Sequence, residues 1–387
     1  MAKFVCVYEA AKIENFDETP ANDLVKKHVA HFKNTKQKFF CLLLAGFFLA
    51  ISCQSQKTPQ SENSSPAEAG EENYGVPEEL NFLSPGAELP VSQFREIWTY
   101  LVAGREQALK LNQSISDLVY FGAEVDSYGK LVDIPDFKKI AQFKGRKHFV
   151  ATCNSRSLTH FVLIEGSAER KALIRDLLEA AEPYDGLQID FEYVPARDGE
   201  AFLSFLWELR AGLGKKIFSA ALPARTRALA DDVYDYAKIK PIVDRIFVMA
   251  YDEHWSNSKP GPIASMGWCQ RVAKHSLDIV GTEKLIMGLP FYGRSWGSIN
   301  ANKAYIYSTI EEIIKEQKIK EIERENGIPF FEYESHLSIT VYFEDNYSLS
   351  ARLEMYKKLG VMATGFWRLG QESQSFWSIM ELASQTP

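Results

Sequence analysis

Closely spaced metal and redox ligands are missing from this sequence. Its five cysteines, at positions 6, 41, 53, 153 and 269, form no CxxC pair and no ligand spacing with the seven histidines. A zinc module or a disulfide scaffold repeats short Cys and His intervals, so both are excluded, and no metal or other cofactor is implied. His28 and His31 lie three apart, but in a leader-like stretch where solvated surface residues are expected. Long basic runs are absent too, and the net charge is only -7 over 387 residues, so nucleic acid is not an expected partner. The apolar run Phe39–Ile51 falls short of the roughly 20 residues that a membrane span needs.

That run fits a different use. Residues 33–53 read KNTKQKFFCLLLAGFFLAISC: lysines, an apolar stretch, then small Ser52 and Cys53, the order of a secretory signal. LAISC resembles a bacterial lipobox, which would make Cys53 the lipidated first residue of the mature chain; an ordinary signal peptide with a chance cysteine is the alternative. The hydrophilic stretch before Lys33 exceeds a normal n-region, so the true start is expected at a non-methionine codon such as Val25 or Val29. From Gln54 to about residue 90, Ser, Glu, Pro and Gly dominate, and such a stretch buries too little apolar surface to offset ordering entropy. The expected organisation is a leader and lipoprotein-type signal at 1–53, a flexible linker at 54–90 and one large domain at 91–387. The whole is expected to be a monomer held by a lipid at Cys53 to a membrane of the bacterial envelope, periplasmic or at the surface.

The domain has ample core material, with 46% of residues apolar and 13% aromatic. Short apolar runs alternate in it with helical patterns such as ERKALIRDLLEAAE and EAFLSFLWELRAGL. Eight runs are predicted as strands: 96–102, 117–124, 148–153, 186–192, 216–222, 245–251, 284–290 and 362–369. Eight β/α repeats fit an α/β fold of the (β/α)8 barrel type, an open doubly wound sheet being the alternative. The gap between the seventh and eighth runs is too long for a simple crossover, and residues 297–344 read as a small α+β insertion on the carboxyl-end face.

The fourth run carries the chemistry. In YDGLQIDFEY, residues two apart share a side of a strand, so Gln188, Asp190 and Glu192 face one way and Leu187, Ile189 and Phe191 the other. The first set would project into the barrel at its catalytic end. Like charges at close quarters do not both ionise cheaply, so one of Asp190 and Glu192 should hold a proton near neutrality. Glu192, at the open end, is the better placed donor for a glycosidic oxygen, and Asp190 suits an orienting role. Two acids side by side do not flank a scissile bond as a standard glycosidase pair does. If no carboxylate faces the anomeric carbon from the other side, the substrate's own 2-acetamido oxygen becomes the natural nucleophile.

DGLQIDFE resembles the DGxDxDxE signature of glycoside hydrolase family 18, the chitinase-like barrels. FVMAYDEHW is similar to that family's sixth-strand motif, MGLPFYGRSW to its seventh and GFWRLG to its eighth. The resemblance covers roughly residues 92–385. It implies that Glu192 is the acid that later activates water, that Asp190 holds and polarises the acetamido group, and that Tyr251 hydrogen-bonds the acetamido carbonyl. It further implies Met249 and Asp252 as supporting residues at the same strand end, Tyr292 and Gln188 at the substrate, and Trp367 as the floor beneath the reacting sugar. The partner so implied is an N-acetylglucosamine-containing glycan cleaved with retention of configuration. Gln188 departs from the family pattern, which has a third aspartate there. The spore-germination and cortex-lytic N-acetylglucosaminidase branch is similar in carrying an amide at that position and a compact insertion, which points to peptidoglycan or a related envelope glycan ahead of chitin.

Two other readings compete. Gly293, Ser295 and Gly297 match a GxSxG elbow, but the SINANKAYIYS that follows does not start the helix such an elbow requires, and His336 is the sole downstream histidine. The same barrel could also bind glycans without turnover, as a lectin-like envelope lipoprotein. Retention of both Asp190 and Glu192 argues against that.

Overall fold

A computed structural model describes residues 82–298, 302–334 and 337–384. The expected leader, Cys53 and most of the linker lie outside the described residues, as does His336. Among the described residues no helix is long and apolar enough to cross a membrane.

All eight predicted strands form: β1 (Glu96–Val102), β2 (Asp117–Val125), β3 (Arg146–Thr152), β4 (Gly186–Asp190), β5 (Ile217–Pro223), β6 (Arg245–Met249), β7 (Leu285–Pro290) and β8 (Ala363–Trp367). Each pairs in parallel with its sequence neighbours, and β1 pairs with both β2 and β8, closing the barrel. The open-sheet alternative is thereby excluded. Boundaries shift by up to two residues, and two shifts touch the site: β4 ends at Asp190, so Glu192 stands in the turn beyond it, and β6 ends at Met249, so Tyr251 lies past its end.

Strands buried on both faces read as near-continuous apolar runs, and β1, EIWTYLV, is buried along almost its whole length. Inside the barrel, Trp98, Tyr100, Val119, Val150, Ala221, Phe247, Ile286 and Ala363 form one cluster. Phe247 fills the lumen only because Gly288 and Gly365 face it; a Cβ there would come within 2.7 and 2.3 Å of its ring. Outside, Leu187, Ile189 and Phe191 of the fourth repeat join the core with Phe202, Phe205 and Leu206 of the helix Gly199–Leu213, and Phe191 stacks on Phe205 at 5.7 Å. The period of two expected along the fourth run is therefore realised.

Helices Arg156–Leu163 and Ala168–Ala180 follow β3, their first turns capped by Ser155 and Ser167. Met266–Val280 follows β6, and Asn346–Lys358, opened by an Asp345–Ser348 capping box, precedes β8. Not every crossover is a full helix: between β5 and β6 it is the four-residue Tyr236–Ile239.

Between β7 and β8 lies the insertion, a five-stranded antiparallel sheet with the helix Tyr307–Glu316. Its first strand is Gly293–Gly297, so it starts ahead of residue 297. Ile310, Phe331, Val341 and Phe343 give it a small core of its own.

The amino-end rim of the barrel is stitched by charge. Glu96 pairs with Arg245 at 2.6 Å, and Asp117 pairs with Arg146 at 2.6 Å and with His148 at 2.8 Å. At the same end of the domain, Ser92–Phe94 pairs in parallel with Met380–Leu382.

Candidate active site

At the carboxyl ends of the strands, the half-buried side chains of Phe121, Met249, Tyr251 and Trp367 cover the lumen cluster as an apolar floor. Trp367, the last residue of β8, meets Tyr100 at 5.1 Å and Phe121 edge-on at 5.0 Å. Its indole is thus held in place by two other rings while part of it stays open to solvent.

β4 contributes a run of polar groups, Gln188 and Asp190, to the lumen. Gln188 is fully buried: its amide oxygen accepts from the Tyr100 hydroxyl, and its nitrogen donates to Ser219 Oγ at 3.2 Å. The expectation that Gln188 lies at the substrate is therefore corrected. Its side chain has no accessible surface and braces β4 between β1 and β5.

Asp190 lies above it, 6% exposed, and its Oδ1 is a buried acceptor without a hydrogen-bond partner. Burial, and then the charge of Glu192, holds the Asp190 carboxyl well above the usual carboxylate range. Because the strand stops at Asp190, the chain carries Glu192 out to the solvent-accessible lip. There it is exposed by accessible area, yet protein atoms crowd around the carboxyl closely enough to strip part of its solvation. Burial, and then repulsion from Asp252, pushes its pKa up to about 7. The sequence led to one held proton through mutual repulsion; here both acids are raised, burial is the first cause in each, and the charge acting on Glu192 is that of Asp252.

Asp252 sits three residues beyond β6 in the left-handed region, φ 59°, which Asp tolerates better than most side chains. Its Oδ1 accepts from the Tyr292 hydroxyl and from Arg294 Nη2 at 2.8 Å. Tyr292 is 5% exposed, so it serves the site by orienting Asp252. Tyr251, on the floor, lies close enough to Asp190 and Glu192 for their charges to raise its hydroxyl pKa, although burial is the larger cause.

Three contributors were not singled out from the sequence. Tyr100 lies beneath the acids, and its place two residues after Trp98 in β1 was a usable sign of a lumen-facing side chain. Arg294 lies within the FYGRSW motif. Tyr234 donates to Phe191 O at 2.8 Å and accepts from Val194 N at 3.0 Å, clasping the turn that bears Glu192 from both sides. No local pattern marks Tyr234, because its partners are some 40 residues away.

The GxSxG triple is not at this mouth. Ser295 is fully buried in a strand paired antiparallel on both sides, and its oxygen accepts from Lys303 N. Among the described residues the next element is the strand Lys303–Tyr305, not the helix an elbow requires. Cys153 and Cys269 are free and buried, and burial raises the two thiols to about 11 and about 12. Among the described residues no cluster of His, Cys, Asp and Glu could hold a metal ion.

The family model described as Glycosyl hydrolases family 18 matches residues 99–372. The Bacillus subtilis protein YdhD is 32% identical over 232 residues, 56% of this chain and 54% of that protein. The cortical fragment-lytic enzyme of Bacillus subtilis is 26% identical over 237 residues, 57% of this chain and 54% of that enzyme. The chain thus spans about half the length of these relatives. The crystal structure of the Bacillus cereus spore cortex-lytic enzyme SleL superposes with a TM-score of 0.67, covering 76% of each chain at 21% identity, a likeness of fold.

Proposed function

The chain belongs to glycosyl hydrolases family 18, and from that premise we propose that it hydrolyses β-linked N-acetylglucosamine-containing glycans of the bacterial envelope, peptidoglycan foremost, by a retaining, substrate-assisted route. Glu192, with a pKa of about 7, donates its proton to the glycosidic oxygen as the bond to the anomeric carbon breaks. The sugar's acetamido carbonyl oxygen attacks that carbon, giving an oxazolinium ion. Asp190 accepts from the acetamido N–H through its unpartnered Oδ1 and so fixes the group's orientation. Tyr251 donates to the acetamido carbonyl and fixes its direction of attack. Water, deprotonated by Glu192, then opens the ring from the face the leaving group vacated, and configuration is retained. Trp367 gives the apolar face of the sugar a flat partner.

One observation carries this reading: a buried carboxyl oxygen of Asp190 without a partner, beneath an acid that titrates near neutrality. A buried unpaired acceptor is costly, and an acetamido N–H would satisfy it. The choice of peptidoglycan is supported by the name of the cortical fragment-lytic relative. We place the protein at a membrane through a lipid on Cys53, on the strength of the LAISC motif; Cys53→Ser would release it into the soluble fraction.

Incubation of the purified protein with isolated sacculi and chitooligosaccharides, read by mass spectrometry and by anomeric proton spectra of early product, tests the proposal. New reducing ends of β configuration are expected. Tight binding without products would leave a lectin, and α product would overturn the substrate-assisted route.

A further inference from the structure

The loop that leads from β6 to the helix Met266–Val280 carries Asp252 near its start. Tyr292 and Arg294 hold the Asp252 side chain, but its backbone needs support of its own. A non-glycine residue in the left-handed region is strained and persists only where its surroundings fix it. The residues that fix it follow at once.

The Glu253 carboxylate accepts from Ser265 N at 2.7 Å and from Ser265 Oγ at 3.1 Å, and Glu253 N donates to Ile263 O at 2.9 Å. Ser265 is the N-cap of the helix Met266–Val280, yet its hydroxyl bonds to Glu253 and makes no cap bond of its own. Glu253 thus sets a carboxylate at a helix N-terminus, where the free N–H groups favour an anion. His254 Nδ1 donates to Pro262 O at 2.7 Å, and its ring lies so close to Gly261 that a Cβ there would come within 2.6 Å. The two limbs of the loop are therefore zipped together immediately after Asp252.

The returning limb is anchored in turn by the helix Asn346–Lys358. Arg352, fully buried, donates through Nη2 to Ala264 O at 2.6 Å and to Glu344 Oε1 at 2.8 Å, and Glu344 accepts from Ser348 Oγ at 2.6 Å. An ion pair shut away from water adds little net stability once desolvation is counted. Its bond to Ala264 is what it gives the loop.

We propose that Glu253 and Arg352 are positioning residues: Glu253 locks the backbone that presents Asp252 to Glu192, and Arg352 anchors the limb against which Glu253 is locked. For the reaction, this rests on the reading of Glu192 as the acid. Neither residue acts on the sugar itself.

The test is a carbon-13 carboxyl titration of Glu192 in full-length protein, its resonance identified by loss in Glu192→Gln, with thermal midpoints recorded as a check on the fold. Glu253→Ala should move the Glu192 titration to lower pH by a few tenths to about one pH unit, because Asp252 is no longer held beside it. Glu253→Gln keeps an oxygen for Ser265 and should restore most of the shift. In an Asp252→Asn background, Glu253→Ala should add nothing further. Arg352→Met paired with Glu344→Gln removes both charges together and should shift the titration in the same direction from the far limb; this variant decides the matter if Glu253→Ala does not fold. A Glu192 titration left in place by these variants overturns the proposal, as does a Glu253→Ala shift that persists without the Asp252 charge or that Gln does not restore. Turnover of an aryl chitobioside is measured alongside, and its alkaline limb should move with the titration. No turnover by the unmodified protein, with the titration shifts intact, would sink the enzymatic reading and leave the positioning of Asp252 standing.

Discussion

Replacing Asp252 with Asn would isolate the charge that tunes Glu192. An amide keeps an oxygen for Tyr292 and Arg294 to donate to, so the local geometry should survive while the negative charge is lost. Glu192 titrates near 7 against an ordinary 4.5, and burial is the larger cause, with Asp252 second. The charge thus accounts for the smaller part of the displacement, at most about one pH unit. The acid must be protonated to act, so activity is lost as pH rises through its pKa. In the variant the alkaline limb of kcat/KM should move to lower pH. At pH 7 the protonated fraction then falls and activity drops by up to several-fold, whereas at pH 5 the loss should be small. The assay is a pH–rate profile on an aryl chitobioside. A limb that stays in place or moves to higher pH would refute the idea that Asp252 acts on Glu192 through charge.

Other substitutions separate chemistry from support. Glu192→Gln should lower kcat about 10²- to 10⁴-fold with ligand affinity retained; unchanged turnover would remove it from the role of acid. Tyr234→Phe frees Phe191 O and Val194 N on either side of Glu192, and kcat should fall about tenfold with KM little changed; an effect on KM alone would show that the clasp does not govern the acid. Phe247→Ala empties the barrel lumen and should cost about 3 to 5 kcal/mol in denaturant unfolding. Asp117 is depressed below the usual carboxylate range: burial alone would raise it, but His148 and Arg146 outweigh that. Its contribution to stability is complete above the unfolded-state pKa near 4 and is lost as pH falls through its lower folded value. Thermal midpoints should therefore decline from pH 5 to pH 3, and Asp117→Asn should flatten that decline.

The barrel was legible because each strand is buried on both faces and so writes a short apolar run into the sequence, and because the apolar positions of the intervening helices recur at three and four. The acids were legible for a related reason: strand alternation put Gln188 and Asp190 on the side opposite Leu187 and Ile189. The same rule overreached at Glu192, since nothing local marks a strand end two residues early. It also placed Gln188 at the substrate, because alternation gives the side of the sheet and not the depth within the lumen; depth is set by the stagger of neighbouring strands, which brings Tyr100 and Ser219 onto that amide. Asp252 was read as a helper of Tyr251. Its electrostatic hold on Glu192 depends on a left-handed backbone residue and on Arg294 from another element, and neither can be seen in a window of sequence.

The closing of the barrel sets an order of events for the chain as it is made. β1 is among the first segments of the domain to be synthesised, and its Thr99 pairs with Phe366 of β8, 267 residues later. Sequence separation of that length slows folding, because the ends must meet before the contacts between them repay the search. A nascent chain halted before Ala363 is a curved sheet with two raw edges, exposed to proteases and to its own copies. Completion of the last strand is therefore the step that turns a vulnerable ribbon into a durable vessel.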